Sequence, residues 1–576
     1  MPAPTETSPL LANQTNGTTA SEQDAAYTAA AESAIESAFH GDVNASAFQV
    51  PATTPEGDEE VAAAPEGVVV TEEPLRTDLF IVLGGMWVGT FLSALDGTIV
   101  ATTLSVIGSE FGVSKSIAWL GTSYLMTQTA AQPLYGKFSD IFGRKPATLF
   151  ASVVFLLGSL ACGLSTTYPQ LIAARAFAGI GGGGLTTMSS IVTSDLVPLR
   201  KRGVYQGLGN VVYAGGAAIG GPLGGLLGDT IGWRWAFLIQ VPICVIHFAI
   251  VSWKVDIPSG PGDMLTKIKR IDFLGSLTMV ASVALLLVGL SLGGNEKEWS
   301  DPLVWGTIIG GLATLVVFVL IEKFVAKEPL LAPRILFSRT PGFVSLTNWF
   351  ASMAQFGIIF QVPLYFVAVE QRPTSYAGTF LIPNAVFAST ASLLAGLYMA
   401  RTGLYRNILV TSGVLAVIGP LAMTFWNYKK TPEWGYWLTM IPGGTGYGAI
   451  ITITLVALIS AVEPKDMAAS TGVSYLFRAT GSVLGISLST SILQNSLRKE
   501  LPKVITGKGS AEIIEAIRSD VGYIKTLPHH LRHAAVEAYS HSMHLVFIAI
   551  TVAAFLSLLC ILPIRQHALP GRLDRK

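Results

Sequence analysis

Long apolar stretches recur from residue 79 to residue 564 and constrain the fold more than any other feature of the chain. Apolar residues make up 51% of the 576 residues and charged residues only 13%. A stretch of about 20 residues with few or no charges can cross the hydrocarbon core of a bilayer as a helix. The sequence therefore predicts an all-α integral membrane protein with fourteen transmembrane helices, at residues 79–104, 117–135, 147–165, 170–193, 204–228, 235–253, 272–292, 303–322, 343–366, 376–400, 407–426, 436–461, 468–493 and 543–564.

Lysine and arginine concentrate in alternate loops between these stretches, and basic residues near span ends resist translocation. If the amino terminus is cytosolic, the basic loops on that side contain Lys137, Arg144, Lys145, Arg200, Lys201, Arg202, Lys254, Lys267, Lys269, Arg270, Lys323, Lys327, Arg334, Arg339, Arg401, Arg406, Lys465 and Arg565. The short loops on the other side contain only Lys115, Arg234, Lys297, Arg372, Lys429 and Lys430. Both termini are therefore predicted to be cytosolic.

Charge balance and cysteine placement exclude several other classes of protein. The formal net charge is zero, so nothing favours a nucleic-acid partner. Cys162, Cys244 and Cys560 fall inside predicted spans, where a disulfide framework is not expected. Because no metal-ligand set, P-loop lysine or paired nucleophile and base stands out, we expect no cofactor, no metal and no enzymatic activity.

Residues 1–76 differ in composition from the rest of the chain. They are rich in Ala, Thr, Ser, Pro and Glu, with no basic residue before Arg76, which predicts a disordered cytosolic tail. Within the tail, Glu6, Leu10 and Leu11 form a run similar to the acidic dileucine signals by which clathrin adaptors route cargo to lysosome-like organelles. The alternative is a chance leucine pair in a low-complexity segment.

The last long loop, predicted at residues 495–541 on the non-cytosolic side, differs from the short loops elsewhere. Residues 511–518 are expected to form an amphipathic helix lying at that membrane face. Five of the eight histidines fall in or beside this loop, namely His529, His530, His533, His541 and His544. Since imidazole titrates between neutral and mildly acidic pH, one hypothesis is that they sense an acidic lumen. The alternative is a solvated loop with incidental histidines.

The short charged run from Gly136 to Lys145 lies between the second and third predicted spans. Gly136 and Gly143 permit tight backbone turns, and Asp140 can pair with Arg144 or sit at the positive end of a helix. With Lys145, these residues predict a cytosolic latch that holds one access state. The alternative is a basic loop that only sets the topology.

This run resembles the signature between spans two and three of the major facilitator superfamily, and three further motifs extend the resemblance. The run Leu95–Val100 resembles the first-span motif of its fourteen-span drug:proton antiporter branch. Arg175 followed by Gly179 and Gly181 resembles the fourth-span motif, and residues 215–225 resemble the fifth-span antiporter motif. Within that branch, the chain resembles the fungal vacuolar basic amino acid transporters.

The resemblance implies a domain organisation and a mechanism. It implies the major facilitator fold with a 6 + 2 + 6 arrangement: residues 77–253 as the first six-helix bundle, 254–340 as a linker with two extra spans, and 341–576 as the second bundle. Access to a midplane site then alternates as the bundles rock. In the family the 136–145 loop stabilises the outward-facing conformer and the fourth-span arginine, here Arg175, takes part in proton coupling. Ile141 stands where the family usually has a base.

Asp96 is the one acidic residue well inside a predicted span. An ionised carboxylate there costs about 3 kcal/mol, so we interpret Asp96 as the proton site, with a neutral structural Asp as the alternative. Arg175 and Arg478 are the intramembrane bases, and each should face a cavity, a carboxylate or helix carbonyls, with snorkelling toward the membrane surface as the alternative.

Small and polar residues within the spans predict a packing surface and a cavity. Glycines four residues apart around a helix-kinking proline predict a surface on which the fifth span rocks, made of Gly216, Gly220, Gly221, Pro222, Gly224 and Gly225. Polar side chains facing lipid are costly, so several should line a central cavity. The candidates are Gln128, Gln132, Asn210, Tyr213, Gln240, Asn348, Gln355, Gln361, Asn384 and Arg478.

The function implied by the resemblance is proton-coupled antiport of basic amino acids into the fungal vacuole. The partners expected are protons, a cationic amino acid or drug, membrane lipid and a clathrin adaptor at the tail, and the chain is expected to act as a monomer. A plasma-membrane drug or toxin exporter of the same branch would share every motif. A nutrient receptor that binds without translocating is the alternative from another class.

Overall fold

The computed structural model describes residues 76–111, 119–255, 272–293, 297, 299–326, 337–506, 509–519 and 521–569. The predicted sorting residues Glu6, Leu10 and Leu11 lie outside them. Within the described residues, fourteen long helices match the fourteen predicted spans in order. They are α1 (Arg76–Phe111), α2 (Trp119–Phe142), α3 (Arg144–Leu164), α4 (Tyr168–Leu196), α5 (Leu199–Thr230), α6 (Gln240–Lys254), α7 (Phe273–Leu292), α8 (Pro302–Phe324), α9 (Arg339–Ala368), α10 (Ile382–Thr402), α11 (Arg406–Met423), α12 (Glu433–Ala461), α13 (Met467–Val504) and α14 (His529–Ile561).

Twelve of the described helical segments are long and apolar enough to cross a membrane. Helices α2 and α4 are not among them, because Ser, Thr, Gln and Gly occupy much of their length. The all-α membrane fold is confirmed. The count of fourteen crossings stays a prediction.

Local sequence signals set several helix ends. Helix α4 begins with a capping box between Thr167 and Gln170 and a proline in its first turn. Helix α3 begins after Gly143, whose φ of 100° is a left-handed conformation that favours glycine. Helix α10 ends at Gly403, which caps it with a φ of 70°.

The first six helices and the last six repeat one packing pattern. In the first half, α1 packs on α5 and α6, while α2 and α3 both pack on α4. In the second half, α9 packs on α13 and α14, while α10 and α11 both pack on α12. Such repetition is what two bundles related by a pseudo-two-fold axis produce.

The two extra helices lie beside the junction of the halves. Helix α7 packs against α2 of the first half and α13 of the second, and α8 packs against α7. The Trp299 indole, in the turn between α7 and α8, donates to the Ser491 hydroxyl. Much of the α8 surface is apolar and exposed, as at Ile309 and Val316, which suits a helix that faces lipid.

The segment predicted as a long loop at 495–541 is shorter than expected and mostly helical. Helix α13 continues to Val504, and α14 already begins at His529. Between them, the predicted amphipathic helix is present at Ser510–Ser519. It packs on the protein, because Ile517 is fully buried and its carbonyl accepts from the Tyr539 hydroxyl at 3.1 Å.

The histidines of this region lie along the first turns of α14 and do not converge. His529, His530, His533 and His541 are exposed, while His544 is half-buried. No group of three or more potential metal ligands occurs within the described residues. All three cysteines are free.

Candidate functional site

A fully buried ion pair lies inside the first half. Asp96 on α1 and Arg175 on α4 are 0% and 1% exposed, and the Arg175 Nη1 atom is 2.7 Å from the Asp96 Oδ2 atom. The second carboxylate oxygen accepts a hydrogen bond from Gln240 Nε2 on α6 at 3.1 Å. Both oxygens of Asp96 are therefore occupied, and three helices meet at this carboxylate.

The guanidinium of Arg175 is held on its other sides as well. Its Nε atom donates to the Leu120 carbonyl at 3.3 Å, and its Cζ atom lies 4.2 Å from the centroid of the Tyr124 ring. Near Tyr124, Gln128 donates to the Ser93 hydroxyl at 3.2 Å. Gln128 and Gln240, both cavity candidates, thus belong to the surroundings of the ion pair.

The predicted latch forms around Arg144, at the start of α3. Its Nη1 atom donates to Asp140 at 2.6 Å and to the Ser139 hydroxyl at 2.8 Å, and its Nε atom donates to Asp195 at 2.6 Å. Asp195, near the end of α4, was missed by the sequence reasoning. The sequence offered one signal for Asp195. It is an acidic residue at the end of a predicted span, on the side where the basic 136–145 loop is expected.

The latch region also contacts the second half. A Cβ atom on Gly136 would lie 2.7 Å from the Ala468 carbonyl oxygen, and one on Gly472 would lie 2.9 Å from the Pro133 Cα atom. Helices α2 and α13 therefore touch along their backbones here. Gln132 is buried next to this contact. Lys145 is half-buried in the first turn of α3.

A second contact between the halves, absent from the sequence predictions, joins α5 to α10. A Cβ atom on Gly396 would collide with the Gly203 backbone, and one on Gly203 would lie 3.0 Å from the Gly396 Cα atom. Beside this crossing, Arg200 donates from Nε to the Ala400 carbonyl at 2.7 Å and from Nη2 to the Arg401 carbonyl at 2.6 Å. A cation at the carboxyl end of a helix is favourably placed.

A cluster of polar side chains joins the two halves further from the helix ends than the Gly203–Gly396 crossing. Asn210 Nδ2, on α5, donates to the Ser392 hydroxyl at 2.8 Å and to the Thr452 hydroxyl at 3.1 Å. These hydroxyls come from α10 and α12 and are hydrogen-bonded to each other. We call these three residues the floor cluster.

These inter-half contacts lie at one end of the helices, which we call the terminal face because α1 begins there and α14 ends there. Gly136 is near the end of α2, Gly203 is near the start of α5, and Gly396 is near the end of α10. At the same face, Arg339 at the start of α9 donates to the Pro563 carbonyl, just after α14. The halves are therefore closed against each other at the terminal face.

Several cavity candidates lie instead inside the second half. Gln355 Nε2 donates to Asn384 Oδ1 at 2.6 Å, and both side chains are buried. Gln361 Nε2 donates to the Ser489 and Thr490 hydroxyls. These amides therefore bond between neighbouring helices of the second half, and Gln355 also lines a small cavity there with Tyr447. Their place in a central cavity stays a prediction.

The remaining candidates do come together between the halves. Arg478 on α13 bonds to Asn348 on α9, and its guanidinium lies 5.2 Å from the centroid of the Tyr475 ring. Tyr213 on α5 of the first half lies within electrostatic range of Tyr475 and Tyr447. Tyr213 is 44% exposed. We call these five residues the central site.

The fifth-span glycines have two different surroundings. Cβ atoms on Gly216, Gly220 and Gly224 would collide with the α1 backbone or its threonine hydroxyls. Gly225 faces open space, and a Cβ atom on Gly221 would make only an ordinary contact. The first row therefore packs α5 on α1 within one half, next to Asp96. Pro222 lies inside the helix.

Comparison with known proteins places this geometry in a family. The family model described as Major Facilitator Superfamily matches residues 86–486. "Multidrug resistance protein fnx1" of Schizosaccharomyces pombe is 39% identical over 88% of this chain and 96% of its own length. "Vacuolar membrane amino acid uptake transporter fnx2" of the same organism is 39% identical over 85% of this chain and 84% of its own.

Two further similarities agree with these. "Vacuolar basic amino acid transporter 2" of Saccharomyces cerevisiae is 32% identical over 77% of this chain and 97% of its own length. The crystal structure of the human organic anion transporter MFSD10 superimposes with a TM-score of 0.50 at 14% identity, covering 82% of this chain and 99% of that one. At this identity the likeness concerns the fold alone.

Proposed function

Because the chain belongs to the Major Facilitator Superfamily, whose members here are transporters and not enzymes, we propose that it is a proton-coupled antiporter of basic amino acids in the vacuolar membrane. Both termini lie in the cytosol in this proposal, so the terminal face is the cytosolic face. The chain acts as a monomer. The relatives named for vacuolar amino acid transport support the substrate and the organelle.

The observation that carries the proton coupling is the sealed pair of Asp96 and Arg175. Protonation of Asp96 removes the charge that holds Arg175, and breaking a buried pair costs roughly 3–5 kcal/mol when the partner charge stays unpaired. The first half must then repack around Arg175. A proton on Asp96 is thereby converted into a change in how α1, α4 and α6 fit together.

The closed terminal face fits the direction of this antiport. With the cytosolic ends closed, protons reach Asp96 from the acidic lumen, after cargo has left. Reopening toward the cytosol requires the contacts of Gly136 with α13, of Arg200 with α10 and of the floor cluster to separate. Cargo then binds from the cytosol while the proton leaves Asp96, and the cycle repeats.

A second candidate function is supported by the relative named as a multidrug resistance protein. A plasma-membrane exporter of drugs or toxins would use the same ion pair and the same latch. A receptor that does not translocate is disfavoured, because the relatives that match most of this chain are named as transporters or for drug resistance.

The test is uptake of labelled arginine by vacuolar membrane vesicles energised with ATP. In Asp96→Asn the side chain cannot carry a proton, so we expect accumulation of arginine against its gradient to be lost, leaving only the uptake seen without a pH gradient. Exchange of arginine for arginine, which needs no net proton transfer, should continue.

Asp301→Asn is the matched control, because Asp301 pairs with Lys297 on the exposed turn before α8. It should accumulate arginine like the wild type. Accumulation by Asp96→Asn at the wild-type rate would contradict the role of Asp96. Absence of arginine uptake by the wild type, combined with drug sensitivity of a deletion strain, would favour the exporter.

A further inference from the structure

Arg478 is an arginine at mid-membrane depth whose surroundings differ from those of Arg175. Its Nη2 atom donates to the Ile451 carbonyl at 2.6 Å and its Nε atom donates to Asn348 Oδ1 at 3.3 Å. Within the part of the chain that the structure describes, no carboxylate pairs with it. A guanidinium has five N–H donors, so several remain available to a ligand.

Asn348 holds the guanidinium in place. Its Oδ1 atom also accepts from the Thr454 hydroxyl at 3.0 Å, and its Nδ2 atom donates to the Ser474 hydroxyl at 3.1 Å. With Ile451, helices α9, α12 and α13 all contribute to this arrangement. Arg478 is half-buried and presents an oriented cation instead of a freely moving one.

The central site lies at one depth in the molecule. The depth of each residue is the number of residues between it and the helix end at the terminal face. That end is Met467 for Arg478 on α13, Leu199 for Tyr213 on α5 and Ala461 for Tyr447 on α12. At a rise of about 1.5 Å per residue, these side chains lie roughly 16–21 Å from that face, near the middle of a bilayer.

The floor cluster separates this site from the terminal face, because Asn210 lies one turn of α5 before Tyr213. Tyr213 belongs to the first half, whereas Arg478, Asn348, Tyr447 and Tyr475 belong to the second. A ligand at this depth therefore contacts both halves, and its binding can affect the conformation of each.

The charges of the site select a ligand chemistry. A guanidinium in the membrane interior without an internal carboxylate is stabilised by an anionic ligand group, and its planar fork suits a carboxylate. Asp96 is not available to the cationic end of the ligand, because it is already in an ion pair and fully buried. The rings of Tyr213 and Tyr447 can accept a cation on their faces, whereas the Tyr475 ring already lies against the Arg478 guanidinium.

We propose that Arg478 binds the α-carboxylate of the transported amino acid while Tyr213 and Tyr447 receive its cationic end. The assignment rests on the proposed function and narrows it, because a cation without a carboxylate meets only repulsion from Arg478. The site thereby separates basic amino acids from cationic drugs of similar size.

The experiment compares arginine with agmatine, which is arginine without its α-carboxylate, in proteoliposomes with an imposed pH gradient. We expect wild-type protein to prefer arginine by roughly 10- to 100-fold, the range of one charge-assisted hydrogen-bonding pair. Arg478→Gln should lose that preference by weakening arginine alone. The preference for arginine over agmatine in Arg478→Lys should lie between those of the wild type and Arg478→Gln, since an ammonium cannot bind a carboxylate in the same bidentate way. Arg372→Gln, which changes an exposed pair with Glu433, is the control and should keep the preference.

Each outcome decides one question. Equal uptake of arginine and agmatine by the wild type overturns the carboxylate assignment while the proposed function survives, and this comparison requires no variant to fold. A preference retained in Arg478→Gln also overturns the assignment. No uptake of arginine by the wild type overturns the proposed function itself.

Discussion

At the residue scale, Arg144 makes the latch because it has two carboxylate partners. Asp140 lies four residues before Arg144, at the end of α2. Asp195 is distant in sequence and lies near the end of α4. All three side chains are largely buried, so their attraction is less screened by water than on an open surface. The bond to Asp195 ties the start of α3 to the end of α4.

We predict that Asp195→Asn loosens closure at the terminal face. A loss of about 1–2 kcal/mol would raise the open population roughly 5- to 30-fold. A membrane-impermeant maleimide applied from the cytosolic side to a Tyr213→Cys reporter would measure it, because that position lies beyond the floor cluster. The exposed pair variant Asp301→Asn should leave the labelling rate unchanged, and an equal rate in both variants would contradict the latch role of Asp195.

At the scale of helices, α5 shows why spacing alone does not assign a glycine. Gly220 and Gly225 both belong to rows of glycines four residues apart. A Cβ atom on Gly220 would lie 2.7 Å from the Leu95 carbonyl oxygen and still closer to the Thr98 hydroxyl, whereas one on Gly225 would meet nothing within 4 Å. Only the first row is a helix contact, and Leu95 adjoins Asp96.

These two glycines form a matched pair for a test. Gly220→Val should force α1 and α5 apart and destabilise the protein by about 1–3 kcal/mol, as overpacking does elsewhere. Gly225→Val should be nearly neutral. Thermal unfolding in detergent, together with arginine uptake, would measure both effects, and equal behaviour of the two variants would contradict the packing difference.

Helix ends outside the membrane were harder to predict than the spans. Hydropathy detects the part of a helix that sits in lipid, so the polar end of α13 up to Val504 and the first turns of α14 from His529 were expected to be loop. These turns are stabilised by packing, as where Tyr539 bonds to the Ile517 carbonyl. The histidines of the predicted luminal pH sensor lie on α14, and the sensor stays a prediction.

At the scale of the whole molecule, the two halves repeat one packing pattern and touch through α2 with α13 and α5 with α10. Glycines at both contacts let the helix backbones approach closely. Hydrogen bonds from Arg200 and Asn210 to the second half fix how the two halves are aligned. Contacts made of close backbones and a few hydrogen bonds can separate without unfolding either half, which suits movement between two states.

The location of the molecule depends on its tail in our proposal. We predict that replacing Leu10 and Leu11 by alanine moves a fluorescently tagged chain from the vacuolar membrane to the plasma membrane, because a clathrin adaptor would lose its apolar contact. Replacing Val69 and Val70 by alanine provides an equal loss of apolar surface in the same tail and should leave the location unchanged. An unchanged pattern in both variants would contradict the sorting signal.

The sequence by itself determined the class of fold and the order of its helices. Inside a bilayer each backbone polar group must bond within its own helix, so a run of apolar residues has one stable conformation whatever its neighbours are. The motifs around Asp96, Gly136 and Arg175 likewise identified the family. Those signals are local, and a single sequence displays them.

Only the tertiary structure decided which polar groups meet. Asp96 and Arg175 are 79 residues apart in the chain, and Asn210 lies 182 residues before Ser392. Their pairing depends on how helix surfaces interlock, and apolar periodicity does not encode that. For the same reason Gln355 and Asn384 satisfied each other inside one half, while Arg478 was left facing the central site with donors to spare.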